Sequence, residues 1–300
     1  IPGAITSFIG AAFLSHIHSD LIKPFIAIFL LTMGIYILYQ FLYKRNQTVV
    51  KDPSTIGRYA MIPQGAVAGF LDAMAGGGGL LTIPALLMAN VPTLYTLGTN
   101  KLQATAGSLS ASITMIRKGK IHPKQIWRSL IACFVGAVLG AMAVQLSPPV
   151  LLAKGIPFLI ALIGIYYLFA PTIGEVKSAP RISKNKWQYG MSPLIGFYDG
   201  YLGPGTGMFF ALGGITMRGL DMITATANAK LLNFTSNAAS LMFFVLGGKV
   251  LWSVGVAMMV GQFIGASLGA RMAVKGGTKF IRPVIVVMCF AMLIKYVFFS

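Results

Sequence analysis

Near-continuous apolar stretches, separated by short gaps that hold almost all of the charge, decide where this chain can fold. They fall at about 1–15, 21–43, 60–89, 94–116, 127–146, 149–170, 189–217, 220–246, 251–270 and 280–299. Most approach the roughly 20 residues with which an α-helix crosses the hydrocarbon core of a bilayer. Only 10% of the residues are charged, where a soluble domain carries ~25%. None of the stretches alternates polar and apolar positions as the ~10-residue strands of an outer-membrane barrel do. The predicted class is an all-α, polytopic membrane protein with the lipid bilayer as its solvent.

The formal net charge is +18, and its placement says more than its sum. Lysine and arginine gather in the gaps Lys44–Arg58, Arg117–Arg128, Lys177–Lys186 and Arg271–Arg282. Such gaps anchor topology. No aromatic-interleaved basic groove points to nucleic acid, so no nucleic-acid partner is expected. Cys133 and Cys289 each sit alone in an apolar stretch, and His16, His18 and His122 lie at segment ends. That pattern asks for no metal and no organic cofactor.

Within this ladder one unit occurs twice. Residues 69–86 read GFLDAMAGGGGLLTIPAL and residues 196–213 read GFYDGYLGPGTGMFFALG. Each places an aspartate, Asp72 or Asp199, just before a glycine cluster, and a lysine follows on the next stretch, Lys101 in TNKLQATAGS and Lys230 in NAKLLNFTSN. The third stretch of each unit carries small residues four apart, Gly136 and Gly140 in one and Gly261, Gly265 and Gly269 in the other, which suits close helix packing. The expected organisation is repeat one at 59–170, a basic loop at 171–188 and repeat two at 189–300. Residues 1–43 resemble the second hairpin of repeat one, with Gly-Ile-Tyr at 34–36 and 164–166, and read as an extra transmembrane hairpin. A truncated product, a rearranged gene and a genuine extra hairpin all fit that segment.

Charge also orients the copies. The gap at 117–128 is rich in lysine and arginine, whereas its counterpart at 247–250 has only Lys249. The next connection reverses the bias: 145–149 is uncharged and 271–282 carries four positive residues. Opposite bias at corresponding gaps predicts two inverted-topology repeats. Inversion requires an odd number of crossings per copy, so one segment must be broken or re-entrant. The clusters Gly76–Gly79 and Gly203–Pro204–Gly205 mark the segment that disfavours continuous helix. The gap at 44–58 is an exception, since this scheme places its basic residues outside.

Chemistry is expected at the same motifs. A charge at the bilayer centre costs roughly 2.5–3.5 kcal/mol on insertion scales, so a buried Asp72 or Asp199 needs a partner or a task. Backbone amides of the broken segment, or the lysines, would satisfy each carboxylate; a proton or substrate relay would use it. Lys101, Thr105, Ser108 and Ser112 share one helix face, as do Lys230, Asn233, Asn237 and Ser240. Such stripes face a cavity or a partner helix, as packing glue or as a path for a polar solute. Interrupted helices present unpaired amides at their N-termini, and two such ends with two lysines would make an anion site near the midplane.

The quoted motifs, with IGFYDGYLGPGTG, TANAKLLNFTSNAAS, VGQFIGASLGAR and KFIRPVIV, resemble the TauE/SafE sulfite exporter family (TSUP), most closely its YfcA-like branch, over about 59–300. The resemblance implies a multi-pass transporter of the inner (plasma) membrane, with relatives that export sulfite or other small sulfur-containing anions. On this reading Lys101 and Lys230 attract a small anionic substrate, and Asn100, Gln103, Asn233 and Asn237 orient it. Gly76, Gly77, Gly78, Gly79, Gly203 and Gly205 supply amides, while Asp72 and Asp199 balance charge or carry protons. The two lysines are expected to approach each other across a pseudo-two-fold axis. A cation- or proton-coupled carrier of an unrelated solute and a sulfur-compound importer are the alternatives. An importer that relays sulfur would need cysteines in the glycine loops, which are not there. An enzyme would need a nucleophile–base pair or metal cluster, and no histidine lies inside a segment. Self-association into a homo-oligomer stays open.

Overall fold

The computed structural model describes residues 58–89, 91–148 and 179–276, all of them helical or in short connections. The expected hairpin at 1–43, most of the gap at 44–58, the stretch at 149–170 and the end of the chain with Cys289 lie outside the described residues. Helix α1 spans Arg58–Ala75, α2 Gly78–Met88, α3 Thr93–Arg117 and α4 Pro123–Leu146. A short turn at Lys184–Lys186 and a π-helical turn at Trp187–Met191 lead into α5, Ser192–Tyr201. Helix α6 spans Thr206–Thr216, α7 Met222–Leu246 and α8 Trp252–Gly276.

Local chemistry sets these boundaries. Pro123 opens α4 at a position where its missing N–H is not needed. Asp221 caps α7 by accepting from the Thr224 amide at 2.8 Å. The glycine clusters end α1 and α5, with Gly76 at φ +83° and Gly203 at φ +91°, a region that side-chain-bearing residues rarely enter. Among the described residues, three helices are long and apolar enough to cross a membrane: Pro123–Leu146, Met222–Leu246 and Trp252–Lys275. On α4, Ile131, Val135, Leu139, Met142 and Leu146 form an exposed stripe of the kind that meets lipid. Helix α3 is 25 residues long, and its polar residues from Thr96 to Gln103 are buried by protein. The chain is thus an all-α polytopic membrane protein.

Helices α2 and α6 have 11 residues each, which reach only about 16 Å, half of the hydrocarbon core. Each turns back beside the helix before it. Leu86 and Val91 at the far end of α2 share an apolar cluster with Met61 near the start of α1. Past the end of α6, the Met217 carbonyl accepts from Arg181 and Ile182, just before α5. The glycine clusters are therefore the tips of two helical hairpins.

Contacts fix the helix directions. Gly65 and Gly69 of α1 lie against Met258 and Gln262 of α8, in the same order. Thr99 of α3 meets Leu251, and Ser110 meets Phe263 and Ser267. Helices α1, α3 and α8 therefore run parallel. Gly136 and Gly140 of α4 lie against Pro193 and Phe197 of α5, and Cys133 and Gln145 bond the carbonyls of Leu232 and Phe243 of α7. Helices α4, α5 and α7 run together in the other direction, because Gly98 near the start of α3 and Gln145 at the end of α4 both meet the 247–249 turn.

The small residues make these packings. A Cβ on Gly136 or Gly140 would strike the carbonyl of Pro193 or Phe197, and one on Gly261, Gly265 or Gly269 the carbonyl of Ile62, Ala66 or Phe70. At such positions the backbones touch without an intervening side chain.

Candidate functional site

The two hairpin tips meet. A Cβ placed on Gly76 would overlap the backbone of Gly207 and Met208, and one placed on Gly207 would stand 2.7 Å from the Cα of Gly76. Around this crossing each tip is stitched by its own aspartate. Asp72 Oδ1 accepts from the Gly78 amide at 3.1 Å, at the N-terminus of α2. Asp199 Oδ1 accepts from the Thr206 hydroxyl at 2.8 Å, at the N-terminus of α6. A carboxylate here is favoured by the dipole of the helix that starts beside it.

The lysines cross over. Lys101 Nζ lies 2.8 Å from Asp199 Oδ1 and donates to the Asp199 carbonyl at 2.5 Å. Lys230 Nζ donates to the carbonyl of Asp72. Both carbonyls belong to the last turn of a hairpin's first helix, where the dipole is negative, and the Asp72 carbonyl also accepts from the Gly76 amide. Each lysine therefore bonds the tip of the other copy, although α3 also touches its own tip through the neighbouring Asn100. Lys101, Lys230, Asp72 and Asp199 are all buried, with exposures of 1%, 1%, 4% and 1%.

The polar stripes divide in role. Asn100 Oδ1 accepts from Thr82 at 2.5 Å and from Gln103 Nε2 at 2.9 Å, and a Cβ on Gly79 would stand 3.4 Å from Asn100 Nδ2. Asn100 and Gln103 therefore join the first hairpin tip. Asn237 instead directs its amide to the carbonyl and the Oδ1 of Asn233, 2.7 and 2.9 Å away in its own helix. Gly77 and Gly205 stand at the N-caps of α2 and α6. The Gly78 amide, expected to be open to a ligand, is engaged by Asp72. In that sense the carboxylate stands where an anion would.

Several contributors escape sequence reading. Thr82 and Thr206 follow the glycine clusters and serve as hydroxyl donors to Asn100 and Asp199. Tyr198 O–H donates to the Pro204 carbonyl at 2.5 Å, bracing the second tip. Gln262, the one amide in VGQFIGASLGA, is fully buried on α8. Among the described residues, the buried side-chain atoms without a protein partner include Asp72 Oδ2, Asp199 Oδ2, Gln103 Oε1 and both amide atoms of Gln262. No group of His, Cys, Asp and Glu among the described residues could hold a metal. A groove lined by Trp127, Arg128, Ile131, Ala132, Val135, Tyr189 and Pro193 lies on the outer flank, sharing no residue with the tips.

The family model described as "Sulfite exporter TauE/SafE" matches residues 61–296. A probable membrane transporter protein of Haemophilus influenzae is 47% identical over 234 residues, covering 78% of this chain and 92% of the relative. The probable membrane transporter protein YfcA of Escherichia coli is 43% identical, covering 78% of this chain and 87% of the relative. A probable membrane transporter protein of a Sinorhizobium species is 44% identical, with 76% and 88% covered. No solved structure matches the chain.

Proposed function

Since the chain belongs to the sulfite exporter TauE/SafE family, we propose that it carries a small anion, of the sulfite or sulfonate type, through a site where the two hairpin tips meet. The observation that carries this reading is the reciprocal crossing of two buried lysines onto the opposite tips. An ammonium in a membrane interior needs a partner, and a mobile anion that replaces the resident aspartate would supply one. Lys101 and Lys230 attract the substrate, Asn100 and Gln103 orient it, and the amides at Gly76–Gly79, Gly203 and Gly205 receive its oxygens once the carboxylates move.

The same reading takes residues 59–170 and 189–300 as two inverted copies. Its support is that equivalent helices, α1 with α5, α3 with α7 and α4 with α8, run in opposite directions. Basic residues from Arg117 to Arg128, from Arg181 to Lys186 and at Arg218, Arg271 and Lys275 stand at one membrane face, and Arg58 and Lys249 at the other. The positive-inside rule makes the first face cytoplasmic, as for a carrier of the plasma membrane. Inverted hairpins that meet at the midplane suit alternating access, one copy rocking against the other.

A coupled cation has its own support. Asp72 Oδ2 and Asp199 Oδ2 are buried acceptors without a donor, and a proton on either would offset the charge of an entering anion. Efflux of sulfur-35 sulfite from proteoliposomes, with imposed proton or sodium gradients, tests both parts. The expectation is sulfite flux that responds to the proton gradient and is lost in Lys101→Met. Sodium-driven movement with no sulfite flux would replace the anion reading with the cation one.

A further inference from the structure

Gln262 is the least explained polar group in the described residues. It is completely buried on α8, and neither its amide nitrogen nor its amide oxygen meets a protein partner. Burial of an unpaired amide is strongly unfavourable, so a side chain kept there calls for a partner that the protein itself does not supply. Two glycines make room for it. Its backbone lies against Gly69 in the GFLD motif, and its amide nitrogen lies 2.7 Å from where a Cβ on Gly107 of α3 would stand. One helical turn before Gly107 on the same face is Gln103. The Gln103 nitrogen is bonded to Asn100, and its oxygen is open. Gln262 thus stands one helical turn from Gln103, whose amide is bonded through Asn100 to Thr82 and the first hairpin tip.

The other half has no such arrangement. Gly196 lies against the carbonyl of Cys133 as Gly69 lies against that of Gln262, so Cys133 is the positional counterpart. Its thiol reaches the Leu232 carbonyl at 3.6 Å and leaves nothing open. The chemistry available to a ligand is one-sided.

The open valences call for a ligand that both donates and accepts. Gln262 Nε2 offers a donor, and Gln262 Oε1 and Gln103 Oε1 offer acceptors. A fully ionised sulfonate would leave both acceptors empty, while an oxyanion that retains one O–H fills both kinds. Resting on the anion-transport reading above, we propose that Gln262 and Gln103 form the recognition pocket for a singly protonated oxoanion such as hydrogensulfite, with Gln262 donating to an anionic oxygen and an amide oxygen accepting the O–H.

The test compares wild type with Gln262→Met, which keeps chain length and removes both polar atoms. Unfolding midpoints in detergent are read with no anion, with sulfite in mildly acidic buffer and with methanesulfonate, which has no O–H. Wild type should be stabilised by sulfite and far less by methanesulfonate. Gln262→Met should unfold at the same or a higher temperature, because no unpaired amide remains, yet lose the sulfite response and at least about tenfold of sulfite efflux per folded protein. A lowered midpoint with efflux retained would make Gln262 a structural, water-satisfied residue and overturn the proposal. Equal stabilisation of wild type by both anions would overturn O–H recognition. A wild type that neither binds nor moves sulfite brings down the anion-transport reading itself, and this pocket with it. Wild-type activity with an unchanged response in Gln262→Met brings down the pocket alone. If Gln262→Met does not reach the membrane, Gln262→Asn, which withdraws the amide by one methylene, takes its place with the same expected loss.

Discussion

Crossed pairing of Lys101 with Asp199 makes a double-mutant cycle unusually informative. Lys101→Met leaves the Asp199 carboxylate buried, with the Thr206 hydroxyl at 2.8 Å as its remaining donor. Asp199→Asn leaves the Lys101 ammonium its 2.5 Å bond to the Asp199 carbonyl. Removing one partner of a buried pair costs about 3–5 kcal/mol, and the lysine change belongs at the upper end because it leaves the net charge with fewer donors. Together the two changes leave no buried charge at that tip, so the double variant should recover part of the loss, a coupling within the ~0.5–3 kcal/mol seen for residues in contact. Lys101→Met with Asp72→Asn should instead show the smaller coupling, because Lys101 bonds Asp199 and not Asp72. Unfolding by SDS titration in mixed micelles supplies the free energies. Coupling of Lys101 to Asp72, with additivity toward Asp199, would refute the crossed geometry. Recovery of folding without recovery of sulfite efflux would assign the lysine to transport.

Gly265→Ala places a methyl against the Ala66 carbonyl and should destabilise by at least about 1–3 kcal/mol, whereas Gly190→Ala, which meets nothing within 4 Å, should stay within about 0.5 kcal/mol; thermal midpoints of the two variants decide it. Cysteines introduced at Lys120 and Lys275 should resist an impermeant maleimide in intact spheroplasts, and one at Lys249 should react, in a background without Cys133 and Cys289. The reverse labelling pattern would invert the proposed orientation. Lys230→Met should abolish sulfite efflux as Lys101→Met does, and retained efflux would confine the site to one lysine.

The all-helical, membrane-spanning class was legible because apolar length and charge spacing are properties of the chain alone. The glycine clusters were legible as breaks for the same reason, since Gly76 and Gly203 need a backbone region closed to other residues. Partner choice was not. Sequence spacing places Lys101 after the first glycine cluster, but its reach to Asp199 depends on α4 packing against α5 and α1 against α8, contacts made by small residues far apart in the chain. Gln262 was passed over because a single glutamine in a glycine-rich helix carries no repeat signal. Its position opposite Gly69 and Gly107 becomes visible only when three helices are assembled. Asn237 shows the opposite error, a polar stripe residue that satisfies itself on its own helix.

The four buried charges bear on how transport would be driven. Lys101 and Lys230 offset Asp72 and Asp199, so the resting site is neutral, and an added anion would leave a net negative charge in a medium that solvates it poorly. A proton taken up by one aspartate removes that excess. Asp199 is the weaker candidate, because Lys101 and Thr206 both hold its Oδ1. Asp72, like Asp199, leaves Oδ2 open, but its Oδ1 holds only the Gly78 amide while Lys230 bonds its carbonyl. Protonation at Asp72 would loosen its hold on that amide and free a helix N-terminus for the anion. Asp72→Asn imitates the protonated form, so sulfite flux should continue while losing its response to an imposed pH gradient. Asp199→Asn, by contrast, should lower flux without removing that response. The measurement is the ratio of efflux with and without the gradient in matched proteoliposomes. A ratio that survives in Asp72→Asn and collapses in Asp199→Asn would move the coupling proton to the other tip.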